Sequence, residues 1–149
     1  MSTDRIEKTI VLRVPRSRVW RALAHAEEFG AWFGMALEGA FAPGAHLTGR
    51  ITTPGHEHVI IGITIEQVEP EQMLSYRWHP YALEPDVDYA HEPTTLVEFH
   101  LTDVADGTHL TVVESGFDGL PPARRAAAFR MNDQGWDEQI TNIARYVAA

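Results

Sequence analysis

The chain has 149 residues, enough for one domain with a sizeable core, and 21 acidic against 12 basic residues leave it a net charge of −9. That balance opposes nucleic-acid backbones and anionic membrane surfaces. The absence of cysteine excludes disulfides and thiolate chemistry, and no apolar run approaches the length that crosses a bilayer.

Met1-Ser2-Thr3-Asp4 lacks the apolar stretch of a secretory leader, so a cytoplasmic protein is expected, a single domain over 1–149. Residues 5–14 alternate, with Ile6, Lys8, Ile10 and Leu12 on one face, which predicts an amphipathic strand. Pro15 can open a helix without losing a needed donor, and Val19, Trp20, Leu23 and Ala24 follow at helical spacing. A second short helix is expected near Glu27–Phe33, punctuated by Gly30 and Gly34. Arg13, Arg16, Arg18 and Arg21 form a local basic cluster, read as a solvated helix start beside acidic neighbours.

From Met35 to Gly116 the pattern is that of strands. Residues 45–53 and 57–69 flank a Pro54-Gly55 turn, and Ile61, Ile63 and Ile65 share a face. After the turn at Glu69-Pro70-Glu71, Leu74, Tyr76 and Trp78 alternate with polar neighbours. Val97, Phe99 and Leu101 form another such face, Asp106-Gly107 signals a hairpin, and Leu110, Val112 and Glu114 share the face beyond it. The segment 80–93 is an acidic, proline-rich loop holding Tyr81, Tyr89 and His91. It is long for a strand connection and is read either as a lid or partner surface or as a solvated connector.

The last element runs from about Pro122 to Ala148. Phe129, Asn132, Trp136, Ile140, Ile143 and Val147 fall on one helical stripe. Within it Asn132, Gly135 and Trp136 are unusual together. A mid-helix glycine costs about 1 kcal/mol against alanine, and an asparagine on an apolar stripe must be satisfied or wet. The combination suggests a helix that walls an internal cavity. Strand, two helices, about six strands in series and one long helix predict an α+β fold, a curved antiparallel sheet wrapped around the C-terminal helix.

Four stretches resemble a known family. They are Pro15, Val19, Trp20, Ala22, Leu23 and Trp32; Pro70, Leu74, Tyr76 and Trp78; Thr95, Val97, Phe99, Leu101, Gly107, Thr108, Leu110, Val112, Glu114, Ser115, Gly116 and Phe117; and Asn132, Gly135, Trp136 and Ile140. In order and spacing they resemble the START-like helix-grip superfamily (SRPBCC), and within it the branch named after the activator of heat-shock protein 90 ATPase homologue. The resemblance implies the helix-grip fold. Members include lipid and polyketide binders, cyclases, hydrolases and co-chaperone domains, and fold does not choose between them. The chain departs from the pattern twice: Glu71 and Gln72 follow Pro70 where a glycine is usual, and Glu114 stands where the last strand often carries histidine.

The candidate ligand-lining residues are Tyr76, Trp78, Phe99, Glu114, Phe117, Met131, Asn132 and Trp136. Apolar walls with a few polar groups are the usual make-up of a small-molecule pocket. Glu114 is the best catalytic candidate. In an apolar pocket its pKa rises, suiting an acid or base; at a strand end it would instead reach water or an arginine. His56 and His58 would share one side of a strand, but a third metal ligand is not evident, and neither metal nor cofactor is implied. Three functions follow: binding of a small hydrophobic or amphipathic molecule, an enzyme on an aromatic or polyketide-like substrate with Glu114 as acid or base, or a co-chaperone of the heat-shock protein 90 type. An N-terminal edge strand could pair two copies as a homodimer.

Overall fold

The computed structural model describes residues 4–80 and 91–148. The elements are β1 (Arg5–Leu12), α1 (Arg16–Ala24), α2 (Ala26–Phe33), β2 (Met35–Leu37), β3 (His46–Ile51), β4 (Ile60–Glu69), β5 (Met73–Trp78), β6 (Thr95–Val104), β7 (Gly107–Ser115), a short 3-10 turn (Phe117–Gly119) and α3 (Pro122–Ala148). The strands form one open, curved antiparallel sheet in the order β1-β7-β6-β5-β4-β3-β2. β1 and β2 are its two edges, so α1 and α2 carry the chain from one edge to the other. α3 packs on β1, α1 and α2. This is the helix-grip α+β architecture.

Strand parity sets the core. Leu74, Tyr76 and Trp78 of β5, Val97, Phe99 and Leu101 of β6, and Leu110, Val112 and Glu114 of β7 are all buried. β4 begins on the expected parity with Ile63 and Ile65 inward, but the register slips between Ile65 and Gln67. This bulge puts Val68, rather than Gln67, opposite buried Leu74.

The turns differ in detail from the sequence expectation. β3 stops at Ile51 and β4 starts at Ile60, so the Pro54-Gly55 connection is longer than expected. His56 and His58 lie in this exposed connection, not on a strand, and the expected shared side does not exist. In the β6–β7 hairpin Val104 pairs with Gly107, so Ala105 and Asp106 form the loop, with Asp106 at φ 65°. Gly107 is needed for another reason: a Cβ there would sit 2.2 Å from the Leu12 carbonyl oxygen. At Glu69–Gln72 the Gln72 N–H donates to the Glu69 carbonyl at 2.9 Å, and Glu71 adopts φ 62°. This is a turn with proline first and a left-handed residue second, a position that favours glycine. The departure at Glu71 therefore carries a backbone cost.

Three of the four arginines of the basic cluster meet acidic neighbours. Arg16 pairs with Asp103, and Arg18 and Arg21 pair with Glu28.

Candidate functional site

Strand register gathers the polar centre. Tyr76 pairs with Val97, Val97 with Glu114, and Glu114 with Ile6, so one row crosses β5, β6, β7 and β1. Trp78 and Thr95 pair in the adjacent row, on the same face. α3 closes over this face and presents Asn132 and Trp136, four residues apart and thus stacked one turn from the other.

These residues meet at one carboxylate. Glu114 is 1% exposed. Its Oε1 accepts from Trp136 Nε1 at 2.8 Å and Asn132 Nδ2 at 2.9 Å. Its Oε2 accepts from Trp78 Nε1 at 2.8 Å, Thr95 Oγ1 at 2.5 Å and Asn132 Nδ2 at 3.1 Å. All four partners are neutral. The inward-facing Lys8 is engaged elsewhere, with Asp133 at 2.9 Å and Asp137 at 3.1 Å on α3. Glu114 is thus shut off from bulk solvent and, among the described residues, meets no arginine. Burial pushes its pKa up, against the opposing pull of Thr95, Trp78, Trp136 and Asn132, and burial prevails.

A carboxylate offers about four lone-pair sites, and here four donor groups occupy them. Glu114 has no acceptor capacity left unless a donor moves. The arrangement fixes two indoles and an amide in place and holds a negative charge in the interior.

Aromatic rings surround it. Trp78 and Trp136 lie 5.9 Å apart between ring centroids, Phe99 is 5.8 Å from Trp136, and Tyr76 is 5.3 Å from Trp78. α2 adds Phe29, 6.1 Å from Tyr76, and Phe33, 5.9 Å from Trp78 and 6.3 Å from Trp136. Tyr76 is fully buried and its hydroxyl has no hydrogen-bond partner among the described residues. Burial, together with the Glu114 charge, pushes that hydroxyl well above its ordinary pKa.

Of the eight sequence candidates, the structure therefore groups Tyr76, Trp78, Phe99, Glu114, Asn132 and Trp136. Phe117 is buried elsewhere, against Phe129 at 5.2 Å, and Met131 is half-buried and not a partner of Glu114. Sequence reasoning missed Thr95, Phe29 and Phe33. Thr95 was accessible from parity, since it precedes Val97 and Phe99 on the same face. Gly135 is not forced by close approach, because a Cβ there meets nothing within 4 Å. Of the acidic loop, residues 81–90, including Tyr81 and Tyr89, lie outside the described residues, so the lid reading has no structure to weigh. Among the described residues there is no cluster of three metal-ligating side chains, and no helix is long and apolar enough to cross a membrane.

A family model, "Activator of Hsp90 ATPase homolog 1-like protein", matches residues 13–148. Solved structures share the fold. MLL2253 from Mesorhizobium loti is 24% identical with a TM-score of 0.76, covering 97% of this chain and 96% of that one. NE0264 from Nitrosomonas europaea is 19% identical with a TM-score of 0.77, covering 98% and 95%. DynU16, a protein of the dynemicin biosynthetic locus, is 25% identical with a TM-score of 0.74. The match covers 98% of this chain but 48% of DynU16. No curated protein matches the chain.

Proposed function

Because the chain belongs to the activator of Hsp90 ATPase homologue 1-like family, built on the START-like helix-grip fold, we propose that it binds a small hydrophobic or amphipathic molecule between the sheet and α3. The supporting observation is a polar centre set inside an aromatic interior. Glu114 and its four donors are buried among Tyr76, Trp78, Phe99 and Trp136. A sheet and helix that needed only to seal a core would gain more from apolar residues at these positions, since buried ionised groups are often replaced by apolar ones without loss. Ligand sites, by contrast, combine apolar walls with a few placed polar groups. DynU16's place in the dynemicin biosynthetic locus makes polyketide-like compounds the first to screen.

Mass spectrometry of the purified protein, native and then after denaturation and extraction, tests this. The expected result is a stoichiometric small molecule whose return to the emptied protein raises Tm by mass action. A protein that carries no such molecule, and whose Tm no apolar compound raises, would sink the proposal and direct attention to a chaperone partner.

A catalytic reading has one observation in its favour: burial holds the Glu114 carboxyl above the ordinary carboxylate range, as a general acid requires. Acid–base work would need one of the four donors to give way to substrate. A Glu114→Gln variant that keeps the extracted molecule but no longer converts it would support this role; unchanged turnover would remove Glu114 from the mechanism.

A further inference from the structure

We propose that the Tyr76 hydroxyl is the hydrogen-bond donor to the bound molecule, and that the site takes a neutral aromatic compound bearing a carbonyl-type acceptor while rejecting carboxylates. This rests on the ligand-binding function above and names the ligand's class.

Tyr76 is 0% exposed and its hydroxyl has no partner. A buried hydroxyl without a partner is costly, whereas an apolar group of the same shape is not. Phenylalanine would fill the same ring position in β5 and keep the contacts with Phe29, Trp78 and Phe99, whose ring centroids lie 6.1, 5.3 and 6.1 Å away. The hydroxyl is therefore surplus to the fold. Arg125 Nε is also buried without a partner, but its guanidinium reaches the Leu120 carbonyl through a second nitrogen. Tyr76 has no such alternative.

Glu114 cannot take the hydrogen-bonding role, because its oxygens are already filled by Trp78, Thr95, Asn132 and Trp136. It acts instead through its charge. Among the described residues no cation pairs with it, and Lys8 is held by Asp133 and Asp137. A second carboxylate near Tyr76 would bring a buried charge with no cation to pair it, beside a carboxyl that already lacks one. A neutral carbonyl meets no such penalty and supplies the acceptor that Tyr76 lacks. The surrounding rings favour an aromatic frame, which gains from edge and offset contacts.

Three probes of similar size separate the contributions: 2-acetylnaphthalene, 2-naphthoate and 2-ethylnaphthalene, each titrated into wild type and Tyr76→Phe while tryptophan fluorescence and Tm are followed. The wild type is expected to bind the ketone roughly three- to tenfold more tightly than the hydrocarbon, the worth of one net hydrogen bond. It should bind naphthoate more weakly than either. In Tyr76→Phe the preference for the ketone should disappear, while the unliganded variant melts at or above the wild type. Equal binding of all three probes, an undiminished ketone preference in Tyr76→Phe, or an unliganded Tyr76→Phe that melts well below wild type would each overturn the assignment and leave ligand binding intact. No binding of any probe to the wild type would overturn both.

Discussion

Glu114 and Glu28 are the same side chain in the same structural task, and they solve it oppositely. Each ties α3 to the rest of the fold. Glu28, on α2, accepts from Tyr146 of α3 at 3.0 Å and pairs with Arg18 at 2.9 Å and Arg21 at 3.0 Å. Arg18 also lies over the Tyr146 ring, 5.1 Å from its centroid. Burial works to raise the Glu28 pKa, but Tyr146, Arg18 and Arg21 together hold it below the ordinary range. Glu114 has four partners to the three of Glu28, all of them neutral, and its pKa goes up. The lesson is that depth of burial sets the balance: hydrogen bonds pull both carboxyls down, but desolvation carries the deeply buried Glu114 up, whereas at half-buried Glu28 the Tyr146 hydroxyl and two arginines outweigh it. The Glu28 network reads as a surface fastening. Glu114 is a buried carboxyl held by four neutral donors with no counter-ion among the described residues.

The comparison can be broken most sharply at Glu114 itself. Glu114→Ala strands the indole N–H groups of Trp78 and Trp136 and the Asn132 amide, so urea unfolding should show a loss of about 3–5 kcal/mol. A loss below about 1 kcal/mol would mean the donors find water and the centre is already wet. Asn132→Ala removes one donor and leaves a small void; the expected cost is about 1–3 kcal/mol in the same assay. Glu28→Gln, at a site whose side chain is 22% exposed, should cost only about 0.5–1 kcal/mol and lose most of that in high salt. If Glu28→Gln proved as damaging as Glu114→Ala, the distinction between a surface fastening and a buried polar centre would fail.

The subtlest test is pH. A carboxyl that binds its proton more tightly when folded loses stability as pH rises across the gap between its unfolded and folded pKa values. The stability difference between wild type and Glu114→Gln should therefore shrink as pH rises out of the ordinary carboxylate range. For Glu28, whose folded pKa is depressed, the stabilisation is present above the ordinary range and is lost as pH falls below it. Urea titrations of the two Gln variants against wild type, run at several pH values, should show slopes of opposite sign in adjoining windows.

Much of the site was legible before the fold was known, through two periodicities. Parity placed Glu114 on the inward face with Leu110 and Val112, and the helical stripe placed Asn132 and Trp136 inward one turn apart. What parity cannot supply is register, the alignment of β5, β6 and β7 that brings Trp78, Thr95 and Glu114 within hydrogen-bond reach. It also cannot foresee a bulge, and the slip at Glu66 moves the inward position from Gln67 to Val68. The sequence offered a short helix near Glu27–Phe33 but no role for its aromatics, and the contact of Phe33 with Trp78 and Trp136 depends on how α2 lies across the sheet. The glycine missing after Pro70 was visible as a departure, but its meaning, a left-handed residue at Glu71, came only with the backbone.

The strand order has a consequence for how the molecule is made. Arg5 pairs with Ser115, 110 positions later (115 − 5), and Lys8 of the same strand is held by α3 later still. While the chain leaves the ribosome, the antiparallel meander from β2 to β6 can zip up between sequence neighbours, yet β1 stays without a mate until β7 emerges. Such high contact order slows folding, since a long loop must close before its contacts repay the lost entropy. The carboxylate at the centre is assembled in that same late step, because β7 supplies Glu114 and α3 its last two donors. The interior is thus completed at the moment the two ends of the chain come together, and a ribosome-bound fragment lacking α3 leaves Glu114 without the Asn132 and Trp136 donors.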